Sequence, residues 1–308
     1  MTRASEITTR TIDGPADVQA CIDIFFAAFN DLHARLHVPL EDPADDAWLR
    51  KALEHFAHTD PGGTLLALED GRPVAFGTAY RREDFWFLAF LFVLPDAQSR
   101  GIGRMILEEL LPGDDERPRM TLATVVEAIQ PVSTGLYASY GMAPRTPRYA
   151  LKGIKRIDEL PGLPGGTRPI PLERGSVDAC AELDRAILGY TRPQDHLGWL
   201  GDGDVGTAYV DDAGSIVGYG YVSEGRYVMP VASLDERFTA AILGDLLAGL
   251  DRPEDAFVAV FGSSGVLLET LLRSGMRVDP ESPYPFVYCS SDPTKPGPSY
   301  IAASGYLP

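Results

Sequence analysis

Apolar residues along the chain fall into short runs with two periods, and the order of the runs predicts a layered fold. Ala16–Phe29 places Val18, Cys21, Ile22, Phe25, Phe26 and Phe29 at helical spacing, and Ala44–His58 reads as a second helix. Strands are predicted at Thr8–Ile12, Leu65–Leu68 and Val74–Tyr80, the last two joined by a turn at Asp70-Gly71. Phe85–Leu94 is apolar without a break, so a central strand covered on both faces is expected; its aromatic content and the stop at Pro95 favour strand over helix. A helix at Gly103–Leu111, a strand at Met120–Val126, a helix at Val132–Ser139 and a strand at Arg148–Leu151 complete this half. Strands alternating with helices in this way predict an α/β chain, with an α+β type of mixed sheet.

The same order recurs. Ser176–Leu188 repeats the first helix, with Val177, Cys180, Leu183 and Ile187 on one face. His196–Leu200 answers Asp45–Leu49, and a strand-turn-strand unit over Thr207–Val222 answers Leu65–Tyr80. Thr270–Met276 (TLLRSGM) answers Leu136–Met142 (LYASYGM). A shared order of four segments indicates a duplication. Between the copies, Asp158–Pro169 (DELPGLPGGTRP) is rich in Pro and Gly and reads as a linker, which gives domains over 1–157 and 169–308 joined by 158–168.

Composition narrows the function. With 27 Lys and Arg against 44 Asp and Glu, the net charge is −17, which opposes binding to nucleic acid and suits a cationic substrate. No apolar run approaches the roughly 20 residues of a membrane span. The first residues lack the apolar core of a signal peptide. Cys21, Cys180 and Cys289 are dispersed and odd in number, so neither a disulfide framework nor a metal set is expected, and a reducing, cytoplasmic setting follows.

The chemistry concentrates after the buried strand. Gln98-Ser99-Arg100-Gly101-Ile102-Gly103-Arg104 leads into a helix with Ile106, Leu107, Leu110 and Leu111 on one face. Two glycines allow a tight turn and close backbone approach, the first N–H groups of a helix point at anions, and Arg100 and Arg104 add positive charge. Ile106 stands where a dinucleotide fingerprint needs its third glycine, and no Gly-Lys-Ser/Thr follows for a Walker loop.

Gln98-x-x-Gly101-x-Gly103 between a central strand and a helix resembles the acetyl-CoA signature of the GNAT superfamily of N-acetyltransferases. Gln130-x-x-Ser133-x-x-Leu136-Tyr137-x-x-x-Gly141-Met142 is similar to a second block of that family, with Gln130, Ser133 and Met142 replacing its Asn, Ala and Phe. The resemblance covers the N-terminal half, and the repeat extends it to two tandem GNAT-like acyl-CoA N-acyltransferase domains. It implies acetyl-CoA (coenzyme A) as co-substrate, with no metal. The pantetheine arm would lie along Leu91, Phe92, Val93 and Leu94, with a backbone N–H near Val93 facing the thioester oxygen. The pyrophosphate would sit on Gln98, Ser99, Arg100, Gly101, Ile102, Gly103 and Arg104, and Ser133 would belong to the same cofactor site. Tyr137 matches the tyrosine that protonates the departing thiolate, and Glu127, at the end of a strand expected to border the acetyl site, is the candidate general base. In the second copy Leu234–Thr239 (LDERFT) replaces the glycine loop and Leu271 replaces the tyrosine, so that copy is expected to be degenerate, with a structural or substrate-cleft role.

The expected function is transfer of an acetyl group to a primary amine of a small, cationic molecule, by a monomer or homodimer with no membrane or nucleic-acid partner. The alternative is a non-catalytic acyl-CoA-binding or partner-docking protein. His33-x-x-x-His37 and His55-x-x-His58 lack the further ligands that a metal requires. Ser264 is expected to cap the helix after it, and Pro293–Pro308 to run along the surface.

Overall fold

The computed structural model describes residues 6–280, 282, 284–301, 304, 306 and 307. Packing divides the chain into two compact units, Met1–Thr124 and Val125–Pro308. The cut falls inside a strand, well ahead of the 158–168 segment. That segment is no loose tether: Leu160 is buried in the core of the second unit.

The first unit opens with β1 (Ile7–Thr11), α1 (Pro15–Leu36) and α2 (Ala47–Thr59). It continues through β2 (Thr64–Glu69), β3 (Arg72–Arg82), β4 (Phe85–Val93), α3 (Ile102–Leu110) and the start of β5 (Thr121–Glu127). β1 to β4 pair antiparallel in chain order, and β5 pairs parallel to β4. α1 runs seven residues past the predicted end at Phe29. An Asp31–Arg35 pair at i,i+4 supports the extension, and His37, in the left-handed region, closes the helix.

β4 carries the feature on which the site depends. Its register with β3 shifts so that Thr78 faces Phe90 and Ala79 faces Leu88, which leaves Ala89 as an extra residue. This bulge keeps Phe90 and Phe92 on the same face as Phe87. There they meet Phe25 of α1, at 6.5 and 4.7 Å between ring centroids, while Tyr80 stacks on Phe56 of α2 at 5.1 Å. Leu91 and Val93 point to the other face, where α3 packs on β3. A Cβ at Gly77 would stand 2.5 Å from Ile106 Cγ2, so glycine is what lets this helix seat on the sheet.

The second unit holds the rest of β5, then α4 (Pro131–Ser139), β6 (Ala143–Lys152), β7 (Arg168–Pro171), α5 (Val177–Leu188), α6 (Pro193–Gly201), β8 (Val205–Val210) and β9 (Ile216–Ser223). β10 (Tyr227–Ser233), α7 (Glu236–Ala248), β11 (Phe257–Phe261), α8 (Gly265–Arg273), β12 (Arg277–Val278), β13 (Phe286–Ser290) and β14 (Tyr300–Ile301) follow. Its strand order is β13-β6-β11-β10-β9-β8-β7, with β12 on β6 and β14 on β10. From β7 to α8 the element order, the antiparallel pairing of β8 to β10 and the parallel β10–β11 pair reproduce those of β1 to α4.

The repeat extends to single hydrogen bonds. Gly141 and Gly275 both have φ +89° after α4 and α8. Met142 N–H donates to the Tyr137 carbonyl and Met276 N–H to the Leu271 carbonyl, each at 3.1 Å. Cys21 and Cys180 are buried at matching places in α1 and α5, and all three thiols are free.

Two expectations fail in this unit. Tyr300 and Ile301 of the C-terminal segment are fully buried rather than on the surface, because β14 pairs with β10. Ser264 occupies the N-cap position of α8 without capping it. The Val266 and Leu267 N–H groups donate instead to Glu236 Oε1, at 2.8 and 3.3 Å.

Candidate functional site

Leu94 N–H donates to the Val74 carbonyl at 2.9 Å, so it faces β3. Backbone groups alternate along a strand, so the N–H groups of Val93 and Leu91 face the opposite edge. β5 covers that edge only at the start, from Phe85–Thr121 to Leu88–Thr124. Thr124 Oγ1 then donates to the Leu88 carbonyl at 2.9 Å, a side chain ending the pairing where the bulge begins. Among the described residues, β4 has no strand on this edge from Ala89 to Val93. The expected arm-binding residues Leu91–Leu94 therefore lie along an open strand edge.

The loop after β4 is built from the same residues. Gln98 Nε2 donates to the Val93 carbonyl at 3.1 Å, so the motif glutamine fixes the end of the strand. Ser99 has φ +63° and Gly101 φ +83°, two left-handed residues that turn the chain into α3. An added Cβ at Gly101 would meet nothing within 4 Å, so glycine serves the turn there. At Gly103 it would stand 3.5 Å from Val93 Cγ2, an ordinary contact, so the protein's own packing does not exclude a side chain. α3 starts at Gly101 with no side-chain cap and no acidic residue in its first turn. Its first N–H groups have no intrahelical acceptor, and the dipole favours an anion in front of them. An open strand edge running into an uncapped helix start fits an extended ligand that ends in phosphates.

Arg100 is less available than the motif implies. Its guanidinium makes a two-pronged contact with Glu69 at the end of β2, one prong at 3.0 Å, and this hydrogen bond holds its pKa above the ordinary value. Arg104 is exposed on the first turn of α3.

Tyr137, Ser133 and Glu127 belong to the second unit. Ser133 and Tyr137 lie one turn apart on α4. Tyr137 is buried, and burial drives its phenol well above the usual tyrosine range, so it keeps its proton at neutral pH. Glu127 ends β5 half-buried, and its carbonyl accepts from Gln130 N–H at 2.9 Å.

Sequence reasoning missed Thr124, Glu69 and Gly77. Only Gly77 leaves a readable mark: a glycine inside a strand pattern signals close approach. The Thr124 and Glu69 contacts depend on registers that no local pattern encodes.

The sequence profile of the Acetyltransferase (GNAT) family matches residues 25–142. No curated relative matches the chain by sequence. A provisionally assigned acetyltransferase from Pyrococcus horikoshii superposes with a TM-score of 0.71 at 16% identity, over 98% of this chain and 96% of that one. A GCN5-related N-acetyltransferase from Sphaerobacter thermophilus gives 0.60 at 18% identity, over 92% and 95%. A tandem GNAT protein from the clavulanic acid biosynthesis pathway gives 0.56 at 16% identity, over 94% and 99%. The chain has the GNAT fold in tandem, and residues 25–142 match the sequence profile of the Acetyltransferase (GNAT) family.

Proposed function

We propose that this chain is an acetyl-CoA-dependent N-acetyltransferase acting on a primary amine of a small cationic molecule. The observation that carries this reading is the open edge of β4 from Ala89 to Val93, leading into the uncapped start of α3. Functionally the chain divides at its repeat, into 1–157 and 169–308 joined by 158–168, with cofactor binding in the first copy.

Leu91, Phe92, Val93 and Leu94 hold the pantetheine arm, and the backbone from Gln98 through Ser99, Arg100, Gly101, Ile102 and Gly103 to Arg104 holds the pyrophosphate. When bound, acetyl-CoA supplies an activated acyl group. The Val93 N–H, fixed by the strand and by Gln98 on the adjacent carbonyl, is placed to donate to a thioester oxygen as negative charge grows there. One preorganised donor of this kind is worth about 2.7–4 kcal/mol. Tyr137 donates a proton to the leaving thiolate; burial, which raises its pKa, keeps it in the acid form. Glu127 accepts the proton of the attacking ammonium, which at pH 7 otherwise costs about 4–5 kcal/mol to remove from an alkylamine. The net charge of −17 favours a cationic acceptor.

A thiol-release assay over a panel of amines tests the reading. Acetyl-CoA-dependent release with at least one cationic amine supports it. Tight acetyl-CoA binding with no release from any amine favours a non-catalytic acyl-CoA-binding role.

A further inference from the structure

The second copy has a slot equivalent to the open edge of β4, and the chain's own C-terminal segment lies in it. β10 pairs parallel with β11 at Tyr227–Phe257, as β4 pairs with β5. Its register against β9 shifts between Val228 and Val231, at the place where β4 carries its bulge. Beyond that shift, the edge facing away from β9 is taken by β14, antiparallel, with Val231 opposite Ile301 and Ala232 opposite Tyr300. The Ser299 carbonyl accepts from Ser233 N–H at 3.4 Å and from Thr239 Oγ1, in the first turn of α7, at 2.9 Å. The segment thus runs along the edge and ends at a helix start, the course that an extended ligand would take along β4 to α3.

Both helix starts at this slot are closed as well. Asp235 caps α7, its Oδ1 accepting from Arg237 and Phe238 N–H at 2.9 and 3.0 Å, and Glu236 closes α8. Carboxylates accept from these N–H groups, whereas α3 and α4 of the first copy have no side-chain cap.

We infer that Ser299–Ile301 is an internal occupant of the second copy's strand-edge slot. The slot accepts an extended peptide strand by β-addition, not a phosphate-bearing cofactor. The comparison with a cofactor slot rests on the reading of the first copy given above; the occupancy itself does not.

Hydrogen–deuterium exchange on the full chain, with and without acetyl-CoA, tests both and separates them. Peptides covering Val231–Ser233 and Ser299–Ile301 should exchange at least ~100-fold more slowly than an open loop in both states, as buried paired strands do. Those covering Leu91–Val93 should slow only when acetyl-CoA is present. Loop-like exchange at 299–301, or slowing there on adding acetyl-CoA, overturns the inference. No change at Leu91–Val93 overturns the cofactor reading and leaves the tail's role standing.

A second arm uses the full chain carrying Tyr300→Ala and Ile301→Pro, which remove the ring and one N–H of the pairing. A fluorescent peptide of sequence Pro298–Tyr306 should bind this variant one-to-one and not the wild type. Equal binding to both, or none to a folded variant, overturns the inference; if the variant does not fold, the exchange pattern of the wild type decides.

Discussion

α3 and α7 follow equivalent strands, pack on equivalent sheets and start in opposite ways. α3 begins at a left-handed glycine with no side-chain cap. α7 begins at Asp235, whose carboxylate accepts two of them. Both are stable solutions to the same deficit, since a helix leaves its first N–H groups without partners. The second copy satisfies two of them with a side chain, and the first has no side-chain cap at that place. The strands differ in the same sense, β4 being open from Ala89 to Val93 and β10 covered by β14. On the reading proposed above, the second copy loses its site by filling it with its own chain, with the scaffold unchanged.

The helix pair of each copy extends the contrast. α1 and α2 meet the sheet through rings, with Phe25 against Phe92 and Phe56 against Tyr80. α5 and α6 meet it through a buried polar network. Asp184 accepts from Arg192 Nε at 3.0 Å and from Tyr219, and its Oδ2 lies 2.8 Å from His196 Nε2, while His196 Nδ1 lies 2.7 Å from Tyr221 Oη. Burial alone would raise the Asp184 pKa; Arg192 and His196 outweigh it and hold the carboxyl below its ordinary range.

The largest expected effect lies here. Asp184→Asn leaves Arg192 buried without its counter-charge and should destabilise the chain by about 3–5 kcal/mol, read by denaturant unfolding. The linked pH dependence follows from the depressed pKa. The stability due to Asp184 is fully present above the unfolded value of roughly 3.9 and drains away only as pH falls below it. A loss of unfolding free energy between pH 7 and pH 5 that Asp184→Asn removes would contradict this.

Next is the phenol that one copy has and the other, with Leu271, lacks. Tyr137→Phe should lower turnover by roughly a hundredfold, the scale of a lost general acid, with acetyl-CoA affinity unchanged. An equal loss in affinity would mark Tyr137 as a packing residue.

Exchanging the two helix starts tests the comparison itself. Gly101→Asp sets a carboxylate at the start of α3, on a left-handed residue where glycine serves the turn. If charged hydrogen bonds worth about 1.5–3 kcal/mol are displaced, acetyl-CoA affinity should fall roughly 10- to 100-fold in calorimetry. Asp235→Ala should cost about 1 kcal/mol of stability, the usual value of a cap, and create no second acetyl-CoA site. Appearance of one would show that Asp235 alone closes that copy.

The sequence reveals these elements unequally. Periodicity located the helices and strands of the first copy within a few residues, because each buries one regular face. The glycine loop was legible because its turn and its helix start both leave local marks. The bulge at Ala89 was not, since FWFLAFLFV is apolar throughout and carries no glycine to betray an extra residue. The burial of Tyr300 and Ile301 was also hidden, for a Pro-rich tail has no period of its own and its place is set by the vacant edge of a strand about 70 residues earlier. Likewise Glu236 replaces the expected Ser264 cap through a contact 30 residues away in sequence.

The central claim is that one copy binds acetyl-CoA, at the loop Gln98–Arg104. Isothermal titration of the full chain with acetyl-CoA tests it most directly. The account predicts a stoichiometry of one per chain, with the heat abolished or severely weakened by Gly101→Asp and unaffected by Asp235→Ala. Two sites per chain, or one site that survives Gly101→Asp at full affinity, would contradict it.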